Sequence, residues 1–181
     1  MNMYCVDMVI GNLTTVIKEI YKKWGRKFGV RTLGPLGCFP VWKVLVTGGL
    51  GGCFEEGTEL AKLHNGALFN ILRELESQLE GFKYAITDFL PAITDLINMP
   101  SKYGFKEGKV ACCGSGPYRG ILSCGGKRGV TEYEFCDNAS EYVFFDSAHF
   151  TEKVNQLFSK LMWSGTGKVT GPYNLKALIE D

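Results

Sequence analysis

The sequence lacks an excess of charge of either sign: its 181 residues carry 20 Lys+Arg against 19 Asp+Glu, a formal net charge of +1. A chain so balanced, with no polybasic stripe, has no electrostatic means of holding a nucleic-acid backbone, and no nucleic-acid partner is expected. It also lacks an apolar run near the ~18–20 residues that a membrane-spanning helix needs. Gly, Pro or Asp interrupts every candidate, so no transmembrane segment is expected. The opening residues, Met1-Asn2-Met3-Tyr4-Cys5-Val6-Asp7, have neither the basic start nor the unbroken apolar stretch of a secretory signal. Histidine is scarce, at two residues, so any chemistry that needs an imidazole must use His64 or His149.

Cysteine, by contrast, is plentiful at seven. Cys38 and Cys53 form one local group and Cys112, Cys113, Cys124 and Cys136 another, with Cys5 left over. Adjacent cysteines and spacings of ten or more are unlike the C-x-x-C pairs of zinc sites. A disulfide framework of an oxidised compartment is favoured, and no metal or cofactor is expected. A Cys38–Cys53 bridge would close a short loop, worth ~3 kcal/mol in the chain-entropy model. The other four allow three pairings. Two glycosylation sequons, Asn12-Leu13-Thr14 and Asn138-Ala139-Ser140, agree weakly with a secreted protein. With 45% hydrophobic and 22% charged residues the chain reads as one globular domain or a large part of one.

Apolar residues from Val9 to Trp24 recur at three- and four-residue steps, which predicts an amphipathic helix ended by Gly25. Lys27–Leu33 reads as a short strand, and Gly34-Pro35-Leu36-Gly37 as a loop. Residues 41–57, with Gly48-Gly49-Leu50-Gly51-Gly52, read as an irregular excursion; the glycines do not join a strand to a helix, so they are no phosphate-binding loop. A long helix is expected from about Thr58 to Leu79, a strand at Tyr84–Thr87, and a helical turn or two over Phe89–Asn98. Residues 100–137 form the least regular region. Tyr142–Phe145 reads as a last extended run, and Thr151 starts a helix stopped by Gly165. Alternation of helix and strand argues for a parallel sheet with helices packed on it, although so few strands make a thin one.

In open α/β sheets functional groups collect beyond the carboxyl ends of strands. Gly34–Cys38, Asp88–Pro91 and Asp146-Ser147-Ala148-His149 qualify. The last is the most informative. Three residues of separation let the Asp146 carboxylate fold back onto the His149 imidazole, fix its tautomer and steady the imidazolium formed when it takes a proton. The plainer alternative is that Asp146 caps a turn and His149 is an ordinary loop residue. Position between an apolar run and a capped helix favours the chemical reading. His64, beside the apolar face of a helix, is read as a packing or capping residue.

Several segments, in order, resemble the plant GDSL-type esterase/lipases of the SGNH hydrolase superfamily. They are Leu33-Gly34-Pro35-Leu36-Gly37-Cys38, Leu63-His64-Asn65-Gly66-Ala67-Leu68, Ala111-Cys112-Cys113-Gly114-Ser115-Gly116-Pro117-Tyr118, and Tyr142-Val143-Phe144-Phe145-Asp146-Ser147-Ala148-His149. The ending Gly171-Pro172-Tyr173-Asn174-Leu175 is similar to a branch that includes defence-associated lipases.

The resemblance implies a three-layer α/β/α flavodoxin-like sandwich, here incomplete, with residues 1–181 as the C-terminal portion of a single domain. It implies a carboxylic-ester hydrolase acting on lipid or small acyl esters, secreted, with Asp146 and His149 as two members of a Ser-His-Asp triad. The family's G-D-S serine and its oxyanion-hole blocks would precede this chain. Ser115 and Ser147 do not form a nucleophile elbow. Little or no esterase activity is therefore expected of the chain alone, and a diverged relative acting as a binding or accessory protein is the alternative. Phe150 stands where the family usually has Pro, which predicts a looser turn after His149.

Overall fold

A computed structural model describes residues 2–126 and 129–180. Two compact units divide the chain. The first comprises Met1–Leu33, Glu59–Leu90 and Ser159–Asp181; the second comprises Gly34–Thr58 and Pro91–Phe158.

The first unit is built on a three-stranded sheet. Strand β1 (Lys27–Arg31) pairs in parallel with β2 (Lys83–Thr87), from Lys27 opposite Lys83 to Arg31 opposite Thr87. Because strand side chains alternate with period two, Phe28 and Val30 lie on the same face as Tyr84 and Ile86. Two helices cover that face: α1 (Asn2–Lys22) and α3 (Glu55–Gln78). Ile17 of α1 and Leu68, Leu72 and Leu75 of α3 meet Phe82, Tyr84 and Ile86 in a buried core, flanked by Ile10, Leu13 and Tyr21. The Phe28 and Phe82 rings stack at 4.7 Å between centroids. On the opposite face lies α6 (Leu175–Glu180). A Cβ on Gly29 would come within 2.7 Å of Leu175 Cδ2, so only glycine lets this helix approach the strand. Helix, sheet and helix thus form an α/β/α arrangement, as expected.

Two sequence readings need correction in this unit. A third strand, β5 (Thr170–Pro172), joins β2 on its far side and runs antiparallel, so the sheet order is β1-β2-β5 and the sheet is mixed. A three-residue strand ending in Pro carries no alternation to read, and Pro is tolerated there because β5 is an edge. Buried Thr87 and Thr170 hydroxyls meet at 3.0 Å across that pair. The α1 stripe is also narrower than its apolar spacing suggests: Val9, Val16, Ile20 and Trp24 are exposed. The helix ends at Lys22, and Trp24 takes a left-handed φ of 69° before Gly25.

The second unit contains α2 (Pro40–Thr47), most of α4 (Phe89–Asn98), the two-residue strands β3 (Cys113–Gly114) and β4 (Glu134–Phe135), and most of α5 (Glu152–Ser164). The helix α2 corrects the reading of residues 41–57 as irregular throughout. Tyr142–Phe145 belongs to no sheet either. Its residues are apolar because Val143 and Phe144 are fully buried, and their backbone groups pair one at a time with scattered partners. Three disulfides tie the unit: Cys38–Cys53, Cys112–Cys136 and Cys113–Cys124. Cys5 is free and exposed in α1.

Asn65 of α3 secures the end of the β1 segment. Leu33 N–H donates to Asn65 Oδ1 and Asn65 Nδ2 donates to Leu33 O, both at 2.8 Å, with Asn65 only 5% exposed. Removing a buried side chain that satisfies both backbone groups leaves them without partners. Asn65→Ala is expected to cost roughly 2–4 kcal/mol, read as a lowered urea midpoint with an unchanged slope; a variant as stable as the parent would contradict this account of the α3–β1 joint.

Candidate active site

The loop from Phe145 to His149 is closed by a hydrogen bond from Phe145 N–H to His149 O (2.8 Å). Its two sides are anchored from outside. Cys112 N–H donates to Phe144 O and Cys113 N–H to Phe145 O, Val143 N–H donates to Glu107 O, and Thr151 N–H returns to Val143 O. Thr151 Oγ1 also donates to Tyr142 O (2.8 Å) just before α5 begins. The adjacent cysteines therefore serve this loop doubly: their backbones hold its base while their sulfurs bridge to different partners.

Within the loop one carboxylate organises everything. Asp146 Oδ1 accepts the backbone N–H of Ala148 (2.9 Å) and of His149 (2.8 Å). The same carboxylate receives His149 Nδ1 at 2.8 Å on Oδ1 and 2.9 Å on Oδ2. An ionised carboxylate only accepts, so Nδ1 carries the proton and Nε2 is the ring nitrogen left with a lone pair. The Asp146 side chain is 16% exposed whereas that of His149 is 74% exposed. The pair sits on the rim of the unit, with the acid tucked under and the imidazole outward. A group outside could lose a proton to that ring; the arrangement is that of a supported general base.

Aromatic packing fixes the far side of the loop. Phe150 stacks on Phe144 (5.3 Å between centroids) and meets Phe39 and Phe158 edge-on at 5.2 and 5.4 Å. The turn after His149 is therefore clamped by a four-ring cluster, not loosened by the replacement of Pro. The Val41 N–H, at the start of α2, donates to Ser147 O (2.9 Å). Phe39 and Val41 link the Gly34–Cys38 segment to the His149 loop, so two of the three loops singled out from the sequence come together. Gly37 is required there, since a Cβ would lie 1.7 Å from Phe54 O. The third loop belongs to the first unit: Asp88 Oδ1 accepts from Thr32 Oγ1 (3.1 Å) and Leu90 N–H (3.3 Å) and serves as the cap of α4.

The other sequence candidates fall away for stated reasons. Ser147 is fully buried, and its Oγ has no hydrogen-bond partner. Ser115 Oγ is engaged with Ser123 Oγ at 2.8 Å. The six grouped cysteines are joined as disulfides and cannot act as thiolate ligands or nucleophiles. His64 Nδ1 touches the neighbouring Asn65 Oδ1 at 3.3 Å, which fits a packing role. Sequence reasoning missed the Val41–Ser147 link and the aromatic clamp; Phe150, the departure from the usual Pro, was the one available signal.

The model of the family described as GDSL-like lipase/acylhydrolase matches residues 6–162. The chain belongs to this family. It is 52% identical over 176 residues to GDSL esterase/lipase 1 of Arabidopsis thaliana, covering 97% of this chain and 47% of that protein. A GDSL lipase of Tanacetum cinerariifolium is 50% identical, over 97% of this chain and 47% of its own length. The Arabidopsis protein named inactive GDSL esterase/lipase-like protein 25 is 37% identical, over 96% and 40%. The chain thus spans about half the length of the curated relatives it matches.

If the Asp146 carboxylate sets the tautomer of this GDSL-family histidine, Asp146→Ala should release it. Long-range proton–nitrogen spectra of neutral His149 are expected to show Nδ1–H in the parent and a shift toward the Nε2–H form in the variant. An unchanged tautomer would mean that the carboxylate serves the turn alone.

Proposed function

We propose that Asp146 and His149 are the acid–base pair of a carboxylic-ester hydrolase of the plant GDSL type, acting on lipid or small acyl esters. His149 is the general base: its Nε2 takes the hydroxyl proton of a serine as that oxygen attacks the ester carbonyl. The imidazolium then protonates the departing alcohol, and water, deprotonated by the same nitrogen, releases the acid and regenerates the serine. Asp146 keeps the proton on Nδ1 and stabilises the transient positive charge. The observation that carries this reading is the two-oxygen grip of Asp146 on Nδ1 combined with an outward-facing ring. Family membership and identities near 50% to proteins named esterase/lipase support it.

In this reading the nucleophilic serine and the oxyanion donors come from outside the described residues. Among the described residues no hydroxyl or thiol is hydrogen-bonded to His149, and the two nearby serine candidates are buried or engaged. A base and its carboxylate activate a nucleophile without replacing one, and an absent oxyanion donor forfeits ~3 kcal/mol of transition-state stabilisation. We therefore read residues 1–181 as the C-terminal portion of a single hydrolase domain, without turnover of its own. The three disulfides support a secreted location, where such bridges persist, and the exposed Asn138 sequon is compatible with a glycoprotein. A second reading, a non-catalytic binding or accessory protein, is favoured by the same lack of a nucleophile and by the 37% identity to a relative named inactive.

A fluorophosphonate probe and a short-chain aryl ester test this. The chain alone is expected to take up no label and to show no His149-dependent hydrolysis. Label on a residue of this chain, with turnover abolished by His149→Ala, would overturn the division of labour proposed here.

A further inference from the structure

The two triplets of the form Asn-x-Ser/Thr, Asn12-Leu13-Thr14 and Asn138-Ala139-Ser140, are not separated by residue type. Backbone geometry separates them. Asn12 lies in the middle of α1. Side chains two residues apart on a helix do not face each other, and the Thr14 hydroxyl donates to Ile10 O at 2.7 Å. Asn138 and Ser140 instead meet in a loop. Asn138 Oδ1 accepts both the Ser140 N–H (3.0 Å) and the Ser140 hydroxyl (2.7 Å). The amide oxygen is thereby engaged twice, while among the described residues none accepts a hydrogen bond from Asn138 Nδ2. Asn138 is exposed, so that nitrogen stands open at the surface.

The surroundings suit a large polar attachment. The Cys112–Cys136 bridge anchors the chain two residues before Asn138, and a single helical turn, Ala139–Glu141, follows it. A cleft of about 440 Å³ opens alongside, lined by Ala139, Ser140, Thr151, Glu152, Lys153 and Gln156, which leaves room for sugar rings. The side chains here are ones that water keeps. Asp137 and Glu152 are exposed, Gln156 Nε2 donates to Glu152 Oε1 (3.1 Å), and Lys106 pairs with Glu141 (2.7 Å) while 75% exposed. Any further part of the domain that covered this side would have to strip water from these ions and amides. An interior face is apolar; this one is built to stay wet.

We propose that Asn138 is an acceptor for an N-linked glycan and that Asn12, in a triplet of the same form, is not. The donor is an oligosaccharide carried on a polyprenyl pyrophosphate. Asn138 Nδ2 attacks the anomeric carbon of its first sugar and gives up one proton. The bond from that carbon to the pyrophosphate oxygen breaks, and its electron pair leaves with the pyrophosphate. Because the new bond forms at nitrogen, Oδ1 keeps both hydrogen bonds from Ser140 and the turn survives modification. At 21 residues α1 exceeds the ~12–15 below which isolated helices are marginal. Helices form in ~0.1–1 μs, so the Asn12 triplet is withdrawn into α1 before a transferase acts. The proposal rests on the secreted location read above and deepens it by naming the side chain that is modified.

The test is secretion of the full chain from insect cells behind a cleavable leader. The chain in the medium is expected to carry a single glycan. Peptide-N-glycosidase should shift its gel mobility once and convert Asn138, but not Asn12, to Asp in the mass spectra of its peptides. Asn138→Gln and Ser140→Ala are expected to lose the shift, whereas Asn12→Gln and Thr14→Ala keep it. Ser140→Thr, which retains the hydroxyl and the turn, should carry the glycan as the parent does. A parent chain recovered with its three disulfides formed and no glycan would overturn the proposal. So would a glycan on Asn12, since acceptance would then follow the triplet and not its geometry. Retention of the natural protein inside the cell with reduced cysteines would count against the secreted reading alone, because the acceptor is read from the leader-borne chain.

Discussion

The grip of Asp146 on its own loop is the constraint from which the site follows. One carboxylate receives two backbone amides and an imidazole nitrogen within four residues of chain. The backbone bonds bend the chain back on itself, and that bend delivers the ring to the carboxylate. Turn formation and orientation of the histidine are therefore one event. A carboxylate bound this way cannot swing to another partner without unmaking the loop, so the orientation of the imidazole needs no second residue to enforce it.

Around that loop the second unit solves a general problem of irregular structure. Backbone groups removed from water require partners even where no helix or sheet supplies them. Here Glu107, Cys112 and Cys113 each contribute one bond to the segment before Asp146, and Thr151 contributes two. Arg119 adds a further tie, donating from Nη1 to the carbonyls of Ala111 and Cys112 while Nη2 pairs with Glu134 at 2.8 Å. Apolar packing by Phe39, Phe144, Phe150 and Phe158 completes the support on the other side.

What could be read in advance follows a physical division. Long periodic segments were legible: α3 and α5 begin and end within a few residues of expectation, and β1 and β2 pair in parallel, because each presents apolar side chains at a regular spacing. The Asp146–His149 contact was legible because its geometry is local. The helix α2 was not, since its buried residues are Pro40 and Lys43 while Trp42, Leu45 and Val46 are exposed, which inverts the pattern that betrays a helix. Strand β5 was too short to alternate. Tyr142–Phe145 mimicked a strand because full burial of Val143 and Phe144 enriches the same residue types that sheets do. Nor could spacing alone choose among three pairings of four cysteines, a choice made by contacts distant in the chain.

That choice has a consequence of its own. Cys112 and Cys113 are neighbours with different partners, Cys136 and Cys124. Exchanging the two partners would give a covalent isomer of the same mass and charge. Yet it would pull the peptide between Cys112 and Cys113 out of register with Phe144 and Phe145, whose carbonyls their amides now occupy. Pairing of these four sulfurs in the order seen here is thus a condition for the aim of His149, and a swapped isomer would miss it with no change in mass or formal charge.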